Sequence, residues 1–204
     1  MRVNQSGAGD LKRYVARRGV LMNLSPVVAS ILLQQLLPRR GPKQMPIPLQ
    51  ALELENRSIG KHGEATLAEA YAILKGCWED GSRDREVGLH LMFIAWYGII
   101  EPAHITGFHN DAETEKELNR TLSDVHYAFE SRIGDDAEML YAFGLAAHMF
   151  WFMFENSEYW QQIAAEYAKK YRKLSPDGLD SAIFKERGAY GEYYGRMCVV
   201  DGGY

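Results

Sequence analysis

Cysteines, long apolar runs and catalytic signatures are all scarce in this chain, and each scarcity removes a class of protein. The 204 residues hold two cysteines, Cys77 and Cys198, far apart and without CxxC or metal-ligand spacing. They give no support to a disulfide scaffold; two small buried side chains in a reducing, cytoplasmic setting are expected. The apolar stretch Val27–Leu37 is interrupted by Gln34 and Gln35 and is too short and too polar to cross a bilayer. No P-loop, G-x-S-x-G or H-E-x-x-H occurs, and the glycines near the C-terminus follow no strand. The common nucleotide, hydrolase and zinc-protease signatures are therefore missing, and neither a cofactor nor a catalytic residue is assigned.

Acid and base are unevenly shared. Residues 1–50 carry eight Lys/Arg against Asp10 alone, a net +7, whereas the other 154 residues hold 15 bases and 26 acids, a net −11. A basic arm on an acidic body can bind nucleic acid, anionic lipid or its own body, and the last needs no partner. Arg17-Arg18 before the apolar stretch mimics a targeting signal, yet no A-x-A-like site follows it. Met22 is an alternative start. Ser25-Pro26 opens a helix over about 26–37, and Pro38, Pro42, Pro46 and Pro48 make 38–48 an extended linker. The chain is thus divided into a basic arm with its linker, 1–48, and a helical-repeat domain, 49–204.

What the chain does have is one apolar pattern three times over. Leu67, Tyr71, Leu74 and Trp78 are spaced i, i+4, i+7, i+11; so are Leu118, Leu122, Val125 and Phe129, and again Trp160, Ala164, Tyr167 and Tyr171. That spacing lines up one face of an α-helix. Each striped helix is followed by a Gly-containing break and a second helix, giving predicted pairs at about 64–79 and 85–100, 114–131 and 136–154, and 157–173 and 180–196, after a short helix at 49–57. The second members of the first two pairs are apolar on nearly every side, as in helices buried between layers. Thr114-Glu115-Lys116-Glu117 is a capping box. Glu86 and Glu138 stand at equivalent places in two helix starts, where a negative charge is favoured.

Over residues 64–196 the pattern resembles tetratricopeptide-like helical repeats. The starts at 67, 118 and 160 are 51 and 42 residues apart, longer than the usual 34 of that family, and its W-x2-L-G-x2-Y signature is not intact. The segments Leu89–Gly107 and Phe184–Tyr194 are similar to those of uncharacterised bacterial repeat proteins. The resemblance implies an all-α, right-handed superhelix of about three αα-hairpins with an N-terminal helical arm, in a bacterial protein.

The candidate site residues follow from residue type. Gly188, Gly191 and Gly195 interleave with Tyr190, Tyr193 and Tyr194, and three glycines in a helix predict that something approaches the backbone closely. Aromatic and Arg side chains dominate interface energetics. Trp96, Tyr97, His148, Arg187, Tyr190 and Tyr193 are therefore the expected binding residues, with His90, Trp96, Tyr97 and His148 placed along a groove. The expected function is non-enzymatic protein or peptide binding, of bacterial adaptor or immunity type, with self-association also open. The basic run Lys169-Lys170 with Arg172-Lys173 reads as a solvated helix face, and the acidic body disfavours nucleic acid. The alternative is a metal-dependent, oxygenase-like helical bundle using Glu101 and His104, an E-x-x-H that occurs once where a di-iron site needs it twice.

Overall fold

The structure, a computed structural model, describes residues 47–60 and 63–201. The predicted arm, its helix at 26–37 and nearly all of the linker lie outside the described residues. Every regular element among the described residues is helical, so the all-α class holds. In chain order these are α1 (Leu49–Ser58), α2 (Leu67–Glu79), α3 (Arg85–Ile100), the single turn α4 (Ala103–Thr106), α5 (Ala112–Ile133), α6 (Ala137–Phe150), α7 (Ser157–Leu174) and α8 (Gly188–Asp201). Short 3₁₀ turns occupy Trp151–Met153 and Ser181–Phe184.

All twelve residues of the three apolar stripes are buried, so the periodicity located one face each of α2, α5 and α7. The central layer is α3 and α6, in which Val87–Trp96 and Glu138–Ala147 are buried without a break. Around it, α2 and α5 pack on α3, and α7 packs along α6. The chain ends differently from a stack that simply grows: α8 turns back onto α1 and α3. Among the described residues no helix is long and apolar enough to cross a membrane.

Helix starts follow capping chemistry more than apolar pattern. Asp84 accepts from the backbone N–H of Glu86 and Val87 to open α3, and Asp136 accepts from that of Met139 to open α6. In α5 the cap is Asp111, whose carboxylate accepts the Thr114 N–H at 2.7 Å. The predicted capping box at Thr114 therefore lies inside the helix. The largest boundary correction concerns the last helix, expected from 180. Asp180 caps only the 3₁₀ turn, through the Ala182 N–H, and Glu186 at φ 60° and Gly188 at φ 59° break the chain before α8 begins. Cys77 and Cys198 are not joined in a disulfide and are half-buried, less enclosed than expected.

Leu74 and Leu122 are each 1% exposed or less, in adjacent layers of the core. Leu74→Ala or Leu122→Ala should therefore lower unfolding free energy by about 2–5 kcal/mol, measured by urea denaturation. A loss under about 1 kcal/mol would mean that the stripe is not core.

Candidate functional site

The chemistry-bearing side chains collect around the start of α8. Arg187, the residue before it, carries no acceptor with which to cap the first turn, and Glu55, on the buried face of α1, supplies one from a distance. The Glu55 Oε2 accepts the Tyr190 backbone N–H at 3.3 Å, and its Oε1 meets His90 Nδ1 at 2.7 Å. Glu55 and His90 are both fully buried, and His90 Nε2 has no hydrogen-bond partner. The close carboxylate dictates glycine at the helix start, because a Cβ on Gly188 would lie 2.6 Å from Glu55 Oε2. Gly191 has a similar cause: its Cβ would overlap the Phe184 carbonyl oxygen. The close approach predicted from the glycines is thus made by the chain's own 3₁₀ turn and by α1.

Beside this pair lies an ionic cluster built on two helix N-termini. The starts of α3 and α6 place Glu86 and Glu138 in the same register, where the helix dipole favours carboxylates. Two arginines join them. Arg187, just before α8, donates to Glu138 Oε1 and Glu86 Oε2, each at 2.6 Å. Arg85 donates to both oxygens of Asp136 at 2.7 and 3.0 Å, and to Glu138 and Glu86 at 2.6 and 2.7 Å. The Tyr190 hydroxyl donates to Glu138 at 2.6 Å. Burial works against the Asp136 charge, but the Arg85 fork and the Met139 N–H hold its carboxyl below the ordinary range. Burial and the adjacent Glu138 carboxylate keep Tyr190 protonated far above the usual tyrosine range.

These contacts correct part of the expected site. Trp96 and Tyr190 are fully buried and cannot line a surface groove. The Trp96 indole N–H donates to Tyr194 at 3.1 Å, and the Tyr194 hydroxyl donates to the Ala142 carbonyl at 3.0 Å. Both aromatic residues thus serve the core, as does His90. Arg187 is spent on Glu86 and Glu138. His148 is exposed in the last turn of α6, outside the groove that retains the other two. Tyr97 and Tyr193 are half-buried, their rings edge-on at 6.0 Å, and they line an open groove of about 560 Å³ with Phe93, Ile105, Met197 and the rim pair Glu192 and Arg196. Glu101 closes α3 and His104 is exposed on α4. Among the described residues no three His, Cys, Asp or Glu side chains converge as a metal site.

Sequence reasoning missed Glu55 and the Arg85 cluster. One signal was present: Ala51, Leu54, Glu55 and Ser58 are spaced i, i+3, i+4, i+7, which puts a carboxylate on an apolar face. A second polar contact sits in the opposite layer. His126 Nε2 is 2.7 Å from the Tyr167 hydroxyl and Nδ1 is 3.2 Å from that of Tyr159, so both ring nitrogens engage α7. Burial depresses the His126 pKa to about 4. No family model matches this chain, and neither does a curated protein or a solved structure.

Two expected outcomes follow from these geometries. Arg187→Ala leaves Glu138 and Glu86 with Arg85 as their one remaining cation and should destabilise the fold by about 1.5–3 kcal/mol, the range for hydrogen bonds to charged groups, read from denaturant unfolding; Arg187→Lys should recover only part, lacking the planar fork. The second concerns acid. The His126 pKa is lower folded than unfolded, so the unfolded chain binds the extra proton between pH 6.5 and 4. Its contribution is complete above pH 6.5 and falls by about 3 kcal/mol as pH drops to 4. His126→Phe should flatten that part of the stability–pH profile, and an unchanged slope would refute the assignment.

Proposed function

We propose that the helical unit is a non-enzymatic protein- or peptide-binding module, with the groove between α3 and α8 as its contact face. The observation that carries this reading is the survival of Tyr97 and Tyr193 at the surface. They line an aromatic and apolar groove, while the chain's other large aromatics near α8 are consumed by the core. Tyrosines offer a broad contact area with a polar tip and few rotatable bonds, which suits them to anchoring a partner. The tetratricopeptide-like superhelix is the scaffold this reading assumes, shortened by the return of α8 onto α1. Small size and the acidic body support an adaptor or immunity-type role toward a basic partner.

The test is capture by the purified full chain of proteins from its native host, followed by titration of the main captured partner. Tyr97→Ala and Tyr193→Ala should each weaken binding by about tenfold or more, as truncated anchors do. Tyr127→Ala, highly exposed on α5, should leave binding unchanged. Equal binding by wild type and both groove variants, all folded by circular dichroism, would refute the assignment of the face.

A further inference from the structure

The outer surface of α8 has a form that fits a copy of itself. Glu192 and Arg196, four residues apart and ion-paired, make a charged ridge. On one side runs the row Gly191, Gly195 and Val199; on the other run Tyr193 and Met197. Each row borders a groove, of about 700 Å³ on the glycine side and about 560 Å³ on the tyrosine side, and Glu192 and Arg196 line both. Gly191 and Gly195 lie against the Ser181–Phe184 turn, so the first groove runs between α8 and that turn, and Val199, 74% exposed, stands at its rim. A ridge of i±4 residues flanked by grooves is the element from which helix–helix packing is made, the ridge of one helix entering the groove of the other.

We infer that this face of α8 is an isologous interface, occupied by a second copy of this chain. The inference goes beyond the partner-binding reading, because it requires no foreign protein. Charge and shape on this face are both self-complementary. Under a two-fold axis the same patch meets itself and its residues exchange partners. Two antiparallel α8 ridges then bring Glu192 of each copy to Arg196 of the other. The intrahelical pair becomes an alternating ring of four charges, and each ridge enters a groove of its mate. An α8 meeting its copy in parallel would set Glu192 against Glu192, so charge also selects the antiparallel arrangement. Arg196 and Glu192 are mostly solvated in the single chain, with side chains 71% and 43% exposed, so both are available for exchange.

Sedimentation velocity on the purified full chain tests this over about 1 μM to 1 mM, the range in which modest contacts dissociate. The average mass should rise from one chain towards two with concentration, and added salt should oppose the rise. Glu192→Arg and Arg196→Glu should each raise the dissociation constant by about tenfold or more, because like charges then face one another. The double reversal Glu192→Arg/Arg196→Glu should restore pairing, and an equimolar mixture of the two single variants should pair with each other. A wild-type chain that stays single across the range overturns the inference, as does pairing that both single reversals leave intact. A single chain that still loses its captured partner on Tyr193→Ala would give the face to a foreign partner alone, so the two readings fail separately.

Discussion

One buried carboxylate decides how the described chain closes. Glu55 has no access to water, and an isolated charge there would be prohibitive. It is tolerated because its two oxygens are committed, one to His90 and one to the buried Tyr190 N–H in the first turn of α8. A helix start needs acceptors that its own residues often supply. Here Arg187 holds the preceding position and has no acceptor to give, so the acceptor comes from another helix. This explains why α8 lies against α1 and α3 instead of stacking onwards, and why its first residue is a glycine in the left-handed region.

The ionic cluster beside it resolves a conflict that the two central helices create. Side-by-side N-termini each attract a carboxylate, and the carboxylates then repel one another. Arg85 and Arg187 lie among Glu86, Asp136 and Glu138 and hold them together through charge-assisted contacts. Arg187 is stacked over the Tyr190 ring at 4.9 Å, so the guanidinium is also fixed against the helix it introduces. Ion pairs of this kind are weak evidence for raw stability, since removing charges from water is costly. Their geometry is specific: the two arms of Arg187 reach Glu138 on α6 and Glu86 on α3, tying the start of α8 to both helices.

Periodicity made the helical layers legible, because a stripe at 3.6-residue spacing has to face something apolar. Leu67, Leu118 and Trp160 marked their helices for that reason. The ends of elements were less legible, since they depend on single capping atoms such as the Asp111 carboxylate and on the positive φ of Glu186. The site was legible in part. Tyr193 and Tyr97 reach the groove, but Trp96 and Tyr190 are core residues: the features that make an aromatic residue a good interface anchor also make it a good core filler, and residue type alone does not separate them. Glu86 and Glu138 were visible as helix-start charges, whereas the cation that ties them to α8, Arg187, is 101 residues away from the first of them. Contacts at such separation leave no local trace.

The distant cap also ties folding to the direction of synthesis. Glu55 and the Tyr190 N–H it receives are 135 residues apart. At about 5–20 residues per second, roughly 7–27 s elapse between their appearance on a ribosome. During that interval α1 and α3 can meet, but the carboxylate at their junction has His90 and no second partner, and the seat of α8 stands open to water. The earliest-made layer of the described unit is therefore completed by the last of its helices to be made. A nascent chain stalled before residue 188 would present that wet, charged seat to whatever surrounds it.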